Sequence, residues 1–415
     1  MGFIPRLAPH ITKIPSNPIF SLLPKLNEPG FISFAPGAPD ANTFPYNEIA
    51  QITLELLTED HAKILQYGST EGYPAARAAI ADMISRYGLS PKRDEVIVTT
   101  GGQQSIDILC KMFLEPGDVA LVESPTYSAA MQILKSHRAQ AIPLESDEFG
   151  FLPDDLEDKI KIFSPKIVYL IPTFKNPTGT TISYERRAAA AEIVGRYDTL
   201  LIEDDPYRDL RYSGEHIPTI KSFDKSNNIV FITSTSKILC PGLRVGAIYL
   251  PETLVPVMTV AKQVADMHSS NLPQAIVSEF IGRGLLEPHI ERVCAIYKEK
   301  LEIMQAAIAG FFPESVAATS PQGGLFIWCT CPEGVNTADL LDRLIALKVA
   351  YIPGEQFFCD GGGKNTFRMN FSSASVEDIP KGIEILGKFL HQNIKNITNN
   401  KNITNNKNIT NIMNI

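Results

Sequence analysis

Between residues 74 and 275, short apolar runs alternate with stretches whose apolar positions recur every three or four residues. The runs at 95–99, 118–122, 167–171, 200–203, 229–233 and 245–249 are nearly continuous and rich in Val and Ile, the pattern of strands buried on both faces. Helical periodicity covers 75–86, opened by Pro74, and then 103–114, 128–137 and 184–197. This alternation predicts an α/β fold with a mainly parallel central sheet covered by helices on both faces.

The pattern then changes. Residues 275–312 read as mostly helical. Strand-like segments follow at 324–328, 350–352 and 366–371, with helices near 337–347 and 376–391, which together predict a smaller α/β domain. Six prolines between Pro5 and Pro29, then Phe34-Ala-Pro-Gly-Ala-Pro-Asp40, mark an extended arm with short helical turns. The expected organisation is therefore 1–45 as arm and part of the small domain, 46–285 as the large domain, and 286–392 as the C-terminal small domain. Residues 393–415 repeat Lys-Asn-Ile-Thr-Asn-Asn with a period of six. A unit that short has little to bury, so a low-complexity, disordered tail is expected.

Composition narrows the function classes. The 415 residues allow two or three domains at ~150 residues each. Hydrophobic residues at 44% and charged residues at 20% exclude a disordered chain. Lys and Arg number 38 against 46 Asp and Glu, and no basic cluster exceeds Pro91-Lys92-Arg93. Nucleic acid is thereby disfavoured as a partner. No apolar run approaches the ~18 residues of a membrane span, and the first twenty residues contain no apolar signal core. The six cysteines lack a C-x-x-C pair and the seven histidines lack ligand spacing, so buried reduced thiols, no metal and a cytoplasmic location are expected. Cys329 and Cys331 share a face if their run is a strand.

The chemistry concentrates at predicted strand ends. Ser234-Thr-Ser-Lys-Ile-Leu-Cys-Pro-Gly-Leu-Arg-Val-Gly246 places Lys237 directly after a buried strand, with Ser234, Ser236 and Arg244 beside it. A lone lysine there is usually a surface residue. At the carboxyl edge of an α/β sheet, however, hydroxyls and an arginine suit a phosphate dianion, and the lysine suits a Schiff base with a phosphorylated aldehyde cofactor. Thr99-Thr-Gly-Gly-Gln-Gln104 follows a strand and opens a helix, so its backbone N–H groups point at an anion; a Gly-Gly turn by itself is usually only a turn. Glu203-Asp-Asp-Pro-Tyr207 ends another strand, and a carboxylate buried there needs a cationic partner, which a protonated pyridine nitrogen supplies; a hydrated Asp-Pro turn is the bland alternative. Asn176 can donate to a phenolate oxygen, although Asn-Pro also starts ordinary turns. Tyr127 can stack on a ring.

With these motifs together, the sequence resembles fold-type I pyridoxal-phosphate aminotransferases of class I/II, in the branch of 2-aminoadipate and kynurenine aminotransferases. The resemblance spans roughly residues 33–390. It implies pyridoxal 5′-phosphate as cofactor, bound by the large domain, with Lys237 as the Schiff-base lysine and proton carrier. It implies that Asp204 pairs with the pyridine nitrogen, Asn176 and Tyr207 with the ring's 3-hydroxyl, and that Tyr127 stacks on the ring. Gly102, Gln103, Ser234, Ser236 and Arg244 cradle the phosphate. Tyr67, in Tyr67-Gly-Ser-Thr-Glu-Gly-Tyr73, reaches the phosphate from the partner subunit of a homodimer with shared active sites. Arg368 clamps the substrate α-carboxylate with help from Asn176, and Gly37 lies against the substrate. Serine is common in the family where Gly102 stands, and arginine where Cys294 stands.

Amino acid and 2-oxo acid substrates follow, with 2-oxoglutarate as the expected acceptor. The arm segment around Phe20 carries no cation at 16–24, which favours aromatic or large apolar side chains over a second carboxylate. The alternatives are a 2-aminoadipate aminotransferase, or a β-lyase or decarboxylase on the same fold. A cofactor-sensing regulator requires an N-terminal winged helix-turn-helix, and only an arm precedes Phe34, so that reading is rejected.

Overall fold

The computed structural model describes residues 7–14 and 28–412; the side chains of Lys13 and of 396–412, and the arm around Phe20, lie outside the described residues. Its centre is a seven-stranded sheet of β1 (Val96–Thr99), β2 (Val119–Glu123), β3 (Gln140–Leu144), β4 (Ile167–Leu170), β5 (Leu200–Asp204), β6 (Ile229–Ser234) and β7 (Gly246–Tyr249). The spatial order is β1-β7-β6-β5-β4-β2-β3. All neighbouring pairs are parallel except those of β7, which runs antiparallel to both β1 and β6.

Alternation within the strands assigns each face its own core. Val230 and Ile232 pack with Ile106 and Leu109 on one side, while Ile229 and Leu201 pack with Ala190 and Val194 on the other. Truncating a fully buried residue such as Ile232 to Ala costs ~2–5 kcal/mol. The consequence for function is geometric. The carboxyl ends of β1, β2, β4, β5 and β6 share one edge, and β7 begins there at Gly246.

The expected strands and helices of the sheet are present, with additions. Edge strand β3 escaped the periodicity reading because it contains Pro143 and is only partly buried. The helices Pro153–Phe163 and Val255–Asp266 were likewise not anticipated.

A second, four-stranded antiparallel sheet joins Ala317–Ala318, Phe326–Thr330, Thr366–Asn370 and Ile352–Pro353 in that order. The helices Leu286–Phe311, Thr337–Ala346 and Asp378–Ile412 accompany it in the chain. The arm is stitched to this unit. Ile32–Ser33 pairs in parallel with Val349–Ala350, and Phe34 then bonds Ala350 and Asn370 through its backbone at 2.9 and 2.8 Å. This brings Gly37 over the carboxyl edge of the large sheet.

The tail set off from residue 393 onward begins inside the last helix. The last helix continues through Ile412 in its backbone. Asn393 and Ile394 are buried, with Asn393 accepting from Arg343 Nη1 at 2.7 Å and donating to the Phe389 carbonyl at 2.7 Å. Once a packed helix is nucleated, extension needs only one hydrogen bond per residue, and no Pro or Gly after Gly387 stops it.

Candidate active site

At the carboxyl edge lies a cavity of about 270 Å³, lined by every candidate site residue except Tyr67. Each side chain arrives from a different strand end. Lys237 follows β6, Asp204 ends β5, Asn176 sits in the loop after β4, and Gly102 opens the helix Gly102–Phe113 after β1. Arg368 comes from the second sheet, on Thr366–Asn370.

The phosphate-cup candidate depends on two glycines that the motif reading did not single out. Gly101 has φ +76°, and a Cβ there would stand 2.4 Å from Arg244 Nη2. A Cβ on Gly246 would meet the Gly101 carbonyl carbon and the Gly102 nitrogen at 2.7 Å. Both positions need glycine for the loop, β7 and Arg244 to close together. Gly102 is different: a Cβ there meets only ordinary contacts, the nearest at 3.5 Å from Ile232. Opposite the loop, Ser234 and Ser236 hydroxyls lie 3.0 Å apart.

Three successive carboxylates end β5, and their partners separate them. Glu203 accepts the backbone N–H groups of Ile220 and Lys221 at 2.8 and 2.7 Å. Asp205 takes the Thr173 hydroxyl at 3.0 Å and stands 3.1 Å from Arg208 Nε. Asp204 alone among them lines the cavity. Its Oδ2 accepts the Tyr169 hydroxyl at 2.6 Å, while Oδ1 faces Gly102. Burial, reinforced by Asp205, pushes its pKa up to about 6 against the pull of Tyr169. Such a carboxylate invites a cation.

Lys237 is the opposite case. Burial, with Arg368 and Arg244 nearby, pushes its pKa down to about 8. Its Nζ donates to the Gly37 carbonyl at 2.6 Å and lies 5.9 Å from the Tyr207 ring centre. Arg368 is 2% exposed, and among the described residues no carboxylate pairs with it. It bonds Asn176 Oδ1 at 2.8 Å and the Ala35 carbonyl at 2.6 Å, rests 4.4 Å over the Phe326 ring, and keeps its buried Nε without a partner. Burial lowers its pKa to about 10.

The loop carrying Asn176 is fixed from behind. Lys175 Nζ pairs with the buried Glu123 at 2.9 Å, and Arg187 holds the Pro172 carbonyl and Thr173 hydroxyl at 2.7 and 3.1 Å. Residues missed in the sequence include Tyr169, Ser128, Ile106 and Ile171, the last three lining the cavity. A tyrosine in the middle of an otherwise aliphatic strand was the available signal for Tyr169. Tyr67 stands apart, 77% exposed, its ring edge against His268 with centroids 5.8 Å apart.

A buried amine, a buried carboxylate and a buried guanidinium thus share one cavity beside the glycine-dependent loop, an arrangement compatible with amine chemistry on an aldehyde cofactor. The chain belongs to the aminotransferase class I and II family, which its residues 30–386 match. It is 37% identical over 383 residues to aromatic-amino-acid aminotransferase 1 of Thermococcus litoralis, covering 91% of this chain and 92% of that one. The solved structure of a multiple substrate aminotransferase from Thermococcus profundus superposes with a TM-score of 0.89 at 36% identity, covering 94% and 98% of the two chains. That of an alpha-aminoadipate aminotransferase from Thermus thermophilus, complexed with N-(5′-phosphopyridoxyl)-L-leucine, has a TM-score of 0.87 at 33% identity, covering 93% and 97%. The protein is a pyridoxal-phosphate-dependent aminotransferase. The residues present fit that cofactor: Asp204 lacks a cationic partner in the cavity, Lys237 is held there as a weakly basic amine, and the glycine-dependent loop faces two serines and Arg244. Among the described residues no helix is long and apolar enough to cross a membrane.

Proposed function

We propose that the chain exchanges the amino group between an aromatic or large apolar α-amino acid and 2-oxoglutarate, as a homodimer with shared sites. The observation carrying this reading is the meeting of Lys237, Asp204 and Arg368 in one cavity. Pyridoxal phosphate, when bound, supplies an aldehyde that takes up amines and a ring that withdraws electrons from the substrate α-carbon. The chain's residues do the rest. Gly102, Gln103, Ser234, Ser236 and Arg244 would hold the phosphate, Tyr127 would stack on the ring, and Asn176 and Tyr207 would hydrogen-bond the 3-oxygen. Asp204 keeps the ring nitrogen protonated.

Lys237 would anchor the cofactor through Nζ, and as a free amine Nζ would take the proton from the substrate α-carbon. A pKa near 8 leaves a useful fraction of free amine at neutral pH, as a general base requires. Arg368 grips the α-carboxylate through its unpartnered Nε and an Nη, with Asn176 orienting the guanidinium. A retained carboxylate supports proton removal over decarboxylation. Gly37 lies where the substrate passes.

Side-chain preference is supported by a second cavity of about 660 Å³ that shares the lining residue Ser128 with the first. Met131, Leu134, Ala141 and Phe358 line it, and apolar burial there is worth ~25 cal/mol per Å². Lys135 and Lys364, also in its lining, suit the distal carboxylate of the acceptor and favour the second reading, 2-aminoadipate as donor. The exposure of Tyr67 supports its reaching a partner subunit.

The test is an amino-donor panel with 2-oxoglutarate, following each oxo acid. Higher kcat/KM for phenylalanine or leucine than for 2-aminoadipate supports the first reading. A preference of tenfold or more for 2-aminoadipate replaces it with the second.

A further inference from the structure

Behind the phosphate-cup loop lies a charged cluster that the amino-transfer reading does not use. Lys262, on the helix Val255–Asp266, is 0% exposed. Its Nζ donates to both oxygens of Asp266 at 2.7 and 3.0 Å and to Ser269 Oγ at 3.0 Å. Asp266 Oδ2 in turn accepts Gln104 Nε2 at 2.7 Å and the Thr100 hydroxyl at 3.2 Å. Gln104 Oε1 accepts the Thr100 N–H at 2.7 Å, and the Thr100 carbonyl accepts Arg244 Nη2 at 3.2 Å. The residues on either side of Gly101-Gly102-Gln103 are therefore pinned by one carboxylate. Neither Lys262 nor Asp266 lines the cofactor cavity.

A buried ion pair is weak evidence for stability, because desolvation offsets most of its attraction. Its placement gives it another use. Asp266 supplies the acceptor that orients Thr100 and Gln104, yet an uncompensated carboxylate near an anion-binding loop repels a phosphate dianion. Lys262 removes that charge and leaves the hydrogen bonds in place. The same connector also holds the Tyr67 segment: His268 Nε2 accepts the Gly68 N–H at 3.2 Å, and Asn271 Nδ2 donates to the Gln66 carbonyl at 2.8 Å.

We propose that Lys262, acting with Asp266, is a positioning residue that sets the shape and charge of the phosphate cup without touching the cofactor. The inference rests on the reading that the 99–104 loop holds the cofactor phosphate. Its signature is selectivity for the phosphate itself.

The test uses full-chain apoenzyme and two probes, pyridoxal phosphate and pyridoxal, with binding followed by protein fluorescence. Lys262→Met is expected to weaken pyridoxal phosphate at least tenfold and pyridoxal less than twofold. Lys262→Met/Asp266→Asn, which restores neutrality, is expected to recover at least half of that loss on a logarithmic scale. Thr100→Val removes the hydroxyl contacts to Asp266 at 3.2 Å and to Ser269 Oγ at 2.9 Å without unpairing a buried charge, and decides the matter if Lys262→Met does not fold; it is expected to weaken pyridoxal phosphate threefold or more, again selectively. Unchanged binding, or equal loss for both probes, overturns the proposal, as does a double variant no better than Lys262→Met. Arg244→Gln separates the two levels of the argument. If it shows no selectivity for the phosphorylated probe, the cup reading itself fails; if it is selective and Lys262→Met is not, only the positioning role fails.

Discussion

Asp204→Asn separates the cost of building this site from its use. Burial holds the Asp204 carboxyl at a pKa of about 6, against ~3.9 in an unfolded chain. Between roughly pH 4 and 6 the native apoenzyme therefore binds more protons here than the unfolded chain does. Its stability falls as pH rises through that window and stays lowered above it. About two pKa units at ~1.4 kcal/mol each give a penalty of ~3 kcal/mol at pH 7.5. Asparagine carries no such penalty, and its carbonyl can still accept the Tyr169 hydroxyl that now reaches Oδ2. The apo variant is expected to be more stable than the native apoenzyme at pH 7.5, by up to ~3 kcal/mol, and nearly equal to it at pH 4. Turnover moves the other way: without a charged partner for the ring nitrogen, kcat is expected to fall at least 100-fold, or ~2.7 kcal/mol. Urea unfolding of both apoenzymes at the two pH values, with kcat of the loaded forms, measures the trade. A variant less stable than native at pH 7.5, or one retaining full turnover, refutes the reasoning.

Three further outcomes follow from particular contacts. If Arg368 clamps the substrate carboxylate as proposed, Arg368→Gln is expected to cost ~2–5 kcal/mol in kcat/KM for every amino acid and oxo acid; one good substrate with unchanged kinetics contradicts the clamp. Mixing Lys237→Ala with Tyr67→Phe chains, each inactive or strongly impaired alone, is expected to restore activity on subunit exchange, and no recovery despite demonstrated exchange counts against shared sites. Truncation after Lys395 is expected to leave Tm unchanged, whereas truncation after Gln392 removes the buried Ile394 and the Asn393–Arg343 bond and is expected to cost ~2–4 kcal/mol. Equal Tm for the two truncations contradicts the packing of that turn.

The parts of the site legible in the sequence are those whose chemistry is local in the chain. Lys237 with its serines and Arg244 lies within eleven residues, and the Gly-Gly turn of the cup joins a strand to a helix in one motif. What escaped depends on neighbours distant in sequence. Tyr169 serves Asp204 because β4 lies beside β5, a pairing that its place in an aliphatic strand does not reveal. Lys262 belongs to no motif, and only the fold sets it and Asp266 against the cup loop. The last helix shows the same limit. Gly382 and Gly387 suggest weak points in a helix, but a Cβ at either would stand within 2.7 Å of Phe34 or Phe311. They are sites of close packing, not stops, so the helix passes them and carries Asn393 and Ile394 onto the body.

The account turns on Lys237 as the residue that carries the proton during amine transfer. The direct measurement is a single half-reaction: cofactor-loaded enzyme mixed with L-phenylalanine and no oxo acid, with phenylpyruvate, ammonia and carbon dioxide quantified. The native protein is expected to form close to one phenylpyruvate per site and then stop, releasing neither ammonia nor carbon dioxide, while Lys237→Ala forms none on the same timescale. Release of ammonia or carbon dioxide in place of a stoichiometric stop, or an equal burst from Lys237→Ala, contradicts it.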